Sequence, residues 1–113
     1  MKAPRESDTQ RDILQYLNLL RIPAWRNNSG MLSATYKGRD RMIRMGPKGS
    51  SDILGVLPPS GRLLCIEVKR LGNKPTEHQS AWLEQMQAAG AVCVVATSIE
   101  DVQRVLREVG VIR

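Results

Sequence analysis

Residues 63–70, Leu-Leu-Cys-Ile-Glu-Val-Lys-Arg, place charged side chains inside an otherwise apolar run. Upstream, Gly49-Ser50-Ser51-Asp52-Ile53-Leu54 leads into a second apolar run, and Pro58-Pro59-Ser60-Gly61 separates the two. Short apolar segments bounded by Gly and Pro read as neighbouring strands. Side chains alternate along a strand, so Glu67 and Lys69 share one face while Ile66 and Val68 take the other. Asp52 opens the adjacent strand. Three charged groups beside a hydrophobic core are costly unless compensated. A divalent cation would compensate the two carboxylates and leave the Lys69 ammonium free for chemistry.

The 113 residues are enough for one core and not for two, so residues 1–113 are expected to form a single domain. Seventeen basic against eleven acidic residues give a net charge of +6, which favours a polyanionic partner. The amino terminus is charged and polar with no apolar h-region, and no apolar run reaches bilayer length. Neither export nor a membrane span is expected, and the expected location is the cytoplasm of a bacterial or phage-infected cell. Cys65 and Cys93 lie in apolar runs, where buried reduced thiols are expected rather than a disulfide or a metal pair. Phe is absent, so the core must be built from Leu, Ile, Val, Met and Ala.

Helical spacing of Ile13, Leu14, Leu17 and Leu20, with Tyr16, predicts a first helix from about Glu6, ended by Pro23. Its start is open. Pro4 as an early helical residue places Glu6 in the first turn, stacked with Gln10, Ile13 and Leu17 on the inward side. A Ser7-x-x-Gln10 capping box leaves Glu6 outside. Ala24–Arg26 and Met31–Tyr36 read as short strands with Asn27-Asn28-Ser29-Gly30 as turn chemistry between them. Residues 37–41 read as a hairpin tip leading into Met42–Met45. Lys37, Arg39, Arg41, Arg44 and Lys48 make this the most basic part of the chain, opposed by Asp40 alone. Thr76-x-x-Gln79 is a capping box for a helix carrying Trp82, Leu83, Met86 and Ala89, stopped by Gly90. Ala91–Ala96 reads as a strand buried on both faces. Ser98 is expected to cap a last helix with Val102, Val105, Leu106 and Val109 inward, up to Gly110. The strand–helix–strand unit from Arg62 to Thr97 predicts a parallel crossover. The class is α/β (α+β), with a mixed sheet.

Hydrolysis of a phosphodiester with a metal uses a few carboxylate oxygens, water and substrate phosphate on Mg²⁺, with a cation to stabilise charge at phosphorus. Asp52, Glu67, Lys69 and the Val68 carbonyl supply those groups. The plainer alternative is a Glu67–Lys69 ion pair on a solvated strand face, a common arrangement of small energetic weight. Asp52 upstream and Gln79 just downstream favour a site, because co-located titratable groups signal function. Gln79 capping its helix and Gln79 touching the site look mutually exclusive. His78 is the sole histidine, which excludes a His-based cluster or triad, and it is expected on the exposed side of its helix. Trp82 reads as core by its spacing, whereas Trp25 is undecided. The Lys37–Lys48 charges are read as phosphate contacts, with affinity falling steeply as salt rises. The alternative is an ordinary solvated hairpin.

Gly-Ser-Ser-Asp-Ile-Leu-Gly, Ile-Glu-Val-Lys and Gln79 on the next helix resemble the VRR-NUC family of the PD-(D/E)XK nuclease superfamily. Glu6 and Gln10 match the family's early Glu and Gln, Arg26-Asn27 its Arg-Asn before the basic hairpin, and Gly90–Val109 its closing strand and helix. The resemblance implies a restriction-endonuclease-like core in the order αβββαβα. It implies a Mg²⁺ or Mn²⁺ site made by Glu6, Asp52, Glu67 and the Val68 carbonyl, with Lys69 catalytic and Gln79 and Gln10 in support. Ser51 stands where many superfamily members have Pro. Arg26, Asn27, Lys37, Arg39, Arg41, Arg44, Lys48, Arg70 and Lys74 are expected along the DNA. The family further implies a homodimeric, Holliday-junction-type endonuclease acting on branched DNA. The rivals are a nuclease for flaps, nicks or duplex ends, and a non-catalytic basic DNA-binding module. No P-loop is present, so no nucleotide cofactor is expected.

Overall fold

The computed structural model describes residues 3–27, 31–44 and 47–113, with the backbone alone described at 31–34, 36 and 41–44. Three helices and six strands follow one another as α1 (Glu6–Leu19), β1 (Ala24–Arg26), β2 (Met31–Tyr36), β3 (Arg39–Arg44), β4 (Ile53–Leu57), β5 (Arg62–Val68), α2 (Glu77–Ala88), β6 (Val92–Ala96) and α3 (Ile99–Glu108). Four strands make the central sheet in the order β1-β4-β5-β6, and β2 and β3 pair only with each other. With that hairpin set aside, the core reads αβββαβα, as expected.

The pairings β1–β4 and β4–β5 are antiparallel and β5–β6 is parallel, so the sheet is mixed and the Arg62–Thr97 unit is a parallel crossover. One face packs against α1 and α3 through Ile13, Leu17, Ile53, Leu64, Ile66, Val68, Val92, Val94, Val102 and Leu106. The other packs against α2 through Cys65, Leu83 and Ala91, with Trp82 and Met86 at its margin. Trp82, expected in the core, is half-buried against it, and both cysteines are free thiols, Cys65 buried and Cys93 half-buried. Each fully buried Leu, Ile or Val contributes about 1.5–3 kcal/mol relative to exposure, and these side chains fill the core without Phe.

Several expectations change in detail. Helix α1 begins at Glu6, with Arg5 at the N-cap and no side-chain cap, so Glu6 sits in the first turn and the Ser7-x-x-Gln10 box does not form. The hairpin turns on Lys37 and Gly38 alone, both at positive φ (50° and 75°), and Tyr36 pairs with Arg39. A two-residue turn of that hand matches strand twist, so Arg39–Arg41 already belong to β3. Strand β1 pairs with β4 rather than β2, and residues 28–30 of the expected turn lie outside the described residues. Strand β6 is fully covered on one face and partly on the other: Val92, Val94 and Ala96 are buried and Cys93 is half-buried against α2, but Val95 is 40% exposed because α2 alone cannot cover the sheet's whole second face. Ala89, expected inward, is an exposed C-cap, and Val109 is 38% exposed. Ser98 occupies the N-cap of α3 without a side-chain cap. The Asp101 carboxylate instead accepts from the Thr97 backbone N–H at 2.9 Å and from Thr97 Oγ1 at 3.1 Å. No described helix is long and apolar enough to cross a membrane.

Candidate active site

Register sets out the site. Ile53 pairs with Ile66 and Ile66 with Val94, all facing the α1/α3 core; Glu67 pairs with Val95 one residue on and therefore faces α2. Asp52 joins that row from the start of β4, where its Oδ2 accepts from the Val68 backbone N–H at 2.8 Å. Lys69 lies just beyond β5, in line with Glu67, with its backbone N–H bonded to the Ala96 carbonyl at 2.9 Å.

Glu67 is the decisive side chain. It is 1% exposed, and its Oε1 accepts from Gln79 Nε2 at 3.0 Å. Burial first, and then a hydrogen bond with the Asp52 carboxyl and its negative charge, push the Glu67 pKa up to about 9, so the proton on Glu67 is held towards Asp52; Lys69 opposes this, and Glu6 adds to it. The solvated Glu67–Lys69 ion pair therefore does not exist: Glu67 is not solvated, and the ion pairs of the described residues involve Arg11 and Arg104. Two carboxyls held together out of water beside a half-buried lysine are costly to ionise, and a divalent cation would offset that cost.

Gln79 performs both roles that seemed to conflict. Its Oε1 accepts from the Thr76 backbone N–H at 2.9 Å, completing the capping box, while its Nε2 reaches Glu67. The two ends of one amide separate the tasks. Glu6 approaches from α1, where its Oε1 accepts from the Arg70 backbone N–H at 3.3 Å. Among the described residues, no group of three His, Cys, Asp or Glu is arranged to hold a metal ion. The groups that could hold a cation here are the Asp52 and Glu67 carboxylates with the Val68 carbonyl, and Glu6 adds its negative charge to the same surroundings. One or two carboxylates plus water and phosphate suit Mg²⁺. Gln10 is half-buried on α1, one turn from Glu6.

The residues expected along DNA divide. Lys37, Arg39, Lys48, Arg70 and Lys74 are exposed, and the side chains of Arg41 and Arg44 lie outside the described residues. Arg26 lies on the α1 side of the sheet, its Nη2 donating to the Ser7 carbonyl at 3.3 Å. Asn27 turns inward: its Nδ2 donates to Ser50 Oγ at 2.8 Å and to the Ser51 carbonyl at 3.0 Å. His78 is exposed, but its backbone matters, since a Cβ at Gly49 would collide with the His78 carbonyl. The loop before Asp52 is therefore clamped between β1 and the start of α2. Sequence reasoning missed the buried Ser50 and Ser51 in this clamp. The run of three small residues before Asp52 was the available signal.

A family model described as the VRR-NUC domain matches residues 2–100. The chain belongs to the VRR-NUC family. This VRR-NUC chain is also similar to a solved structure titled VRR-NUC domain, with 25% identity and a TM-score of 0.61; the match covers 91% of this chain and 94% of that one. No curated protein matches it. Family and fold agree on a nuclease-type, DNA-processing domain.

Proposed function

We propose that this chain is a Mg²⁺- or Mn²⁺-dependent, structure-selective DNA endonuclease that acts as a homodimer on branched DNA, in the manner of a Holliday-junction resolvase. The observation that supports the metal and the hydrolysis is the buried Glu67 carboxyl set against the Asp52 carboxyl, with Lys69 close enough to act on it. Asp52, Glu67 and the Val68 carbonyl would hold the cation, together with Glu6 from α1. When bound, the metal would polarise the phosphodiester and favour deprotonation of water.

The chain's own groups do the rest. The Val68 N–H fixes one Asp52 oxygen and the Gln79 amide fixes one Glu67 oxygen, so both carboxyl groups are held in place before a cation arrives. Lys69, without an ion-pair partner among the described residues, orients the attacking water and offsets negative charge gathering at phosphorus. The exposed Lys37, Arg39 and Lys48 engage the backbone as phosphate contacts. One domain carries one such site, so matched cuts in two strands call for a second copy.

The test is cleavage of a labelled four-way junction and its matched linear duplex in Mg²⁺, Mn²⁺ or EDTA, with Lys69→Ala beside wild type. Paired, metal-dependent cuts confined to the junction and lost in the variant are expected. Equal cutting of both substrates would retain the nuclease and remove the junction preference. Tight DNA binding without cutting in either metal would replace the enzyme with a basic DNA-binding module.

A further inference from the structure

We infer that Asn27, read from the sequence as a DNA contact, is instead a positioning residue for the Asp52 loop. The inference rests on the metal reading proposed above. Three hydrogen bonds join Asn27 to this loop. Its backbone N–H donates to the Asp52 carbonyl at 2.8 Å, and its side-chain amide donates to Ser50 Oγ at 2.8 Å and to the Ser51 carbonyl at 3.0 Å. Both amide protons are used on a segment whose serines are 4% and 0% exposed. A side chain committed in this way has no donor left for phosphate.

The position in the chain explains why such a link is needed. The central sheet is left after Arg26 and rejoined at Ile53, with the basic hairpin between, and the Asn27–Ser50 bond fastens the two ends just before Asp52 leads into its strand. On the opposite side Gly49 packs against the His78 carbonyl at the start of α2, an approach that leaves no room for a Cβ. Asn27 supplies the fastening from β1 and α2 supplies it from above. The Asp52 carboxylate is thereby held with one oxygen on the Val68 N–H. Partners of this outer kind fix ligand orientation, and their loss weakens metal affinity by about 10–100-fold.

The experiment measures Mn²⁺ affinity of the folded, DNA-free protein by calorimetry, well below its melting temperature, and junction binding in EDTA by anisotropy. Wild type, Asn27→Ala and Ser50→Ala are compared. Asn27→Ala is expected to bind Mn²⁺ at least about tenfold more weakly and to bind DNA in EDTA within about twofold of wild type. Ser50→Ala, which removes one of two side-chain acceptors, is expected to lose about threefold in Mn²⁺ affinity. Unchanged Mn²⁺ affinity in Asn27→Ala, or weakened DNA binding in EDTA with Mn²⁺ affinity intact, overturns the inference. If Asn27→Ala fails to fold, Ser50→Ala decides on the same two readouts. A wild-type protein that binds no Mn²⁺ removes the metal reading itself and this inference with it, a result distinct from the others.

Discussion

Replacing Glu67 by Gln should stabilise the metal-free protein while abolishing cleavage. Unfolded, the carboxyl ionises near its ordinary value of 4.5; folded, beside Asp52 and out of water, it holds its proton to about 9. The folded state therefore binds more protons than the unfolded state between those limits, and stability falls as pH rises through them. Each pH step costs about 1.4 kcal/mol, so by pH 7 the penalty is about 3 kcal/mol. The proton belongs to the Asp52–Glu67 pair, and the figure is an order of magnitude for that pair. Gln keeps the shape and can still take a hydrogen bond from Gln79, yet it has nothing to titrate. The assay is urea unfolding of wild type and Glu67→Gln in EDTA at pH 5, 7 and 8.5. The variant's advantage should be near zero at pH 5 and grow with pH. In wild type, added Mn²⁺ should recover the lost stability, and in Glu67→Gln it should add little. A variant no more stable than wild type at pH 8.5, or an advantage that does not grow with pH, would refute the account of Glu67 as a metal-seeking carboxyl.

Removing the Gln79 amide with Gln79→Ala takes away a capping bond and the Gln79–Glu67 hydrogen bond, so stability should fall by about 1 kcal/mol and cleavage should slow, read by urea melts and junction turnover. Ser51 Oγ is buried without a partner, so Ser51→Ala should hold or raise the melting temperature, by up to about 1 kcal/mol of stability. Asp101 is held below the usual carboxylate range, first by the Thr97 backbone N–H and further by Thr97 Oγ1 and Arg104. Its contribution is present above the ordinary pKa of 3.8 and is lost as pH falls through the lowered one, so Asp101→Asn should cost about 1 kcal/mol at pH 7 and less at pH 3 by thermal melts. Neutralising Arg39 and Lys48 together should flatten the salt dependence of junction affinity by about 0.9 in log–log slope per lost contact.

What the sequence made legible was local or periodic. The alternation in Leu63–Lys69 placed Glu67 on one face, the Thr76-x-x-Gln79 box placed α2, and Gly90 stopped it at a φ of 108°. What it hid depended on which strands meet. The pairing of Ala24 with Gly55 links distant segments across the inserted hairpin, and no local pattern announces it. That pairing is what turns Asn27 inward and leaves Arg26 on the α1 side. The exposure of Val95 has a similar origin: an all-apolar strand looks doubly covered until the number of helices on each face is known. The Gln79 conflict dissolved because a side-chain amide has two functional ends, a fact of chemistry that spacing alone does not use.

The hairpin's place in the fold gives the site its logic. β1 and β4 are neighbours in the sheet, so the hairpin is an excursion that starts and finishes beside Asp52. Its exposed Lys37, Arg39 and Lys48 are then attached to the row that holds Asp52 and Glu67, by way of Asn27 and Ser50. If the chain acts on DNA as proposed, charge on the hairpin would draw a backbone phosphate near, and a metal on Asp52 and Glu67 would let it settle where the acids alone would repel it. Metal and DNA affinity should accordingly be coupled in the wild-type protein, each raising the other by the same factor.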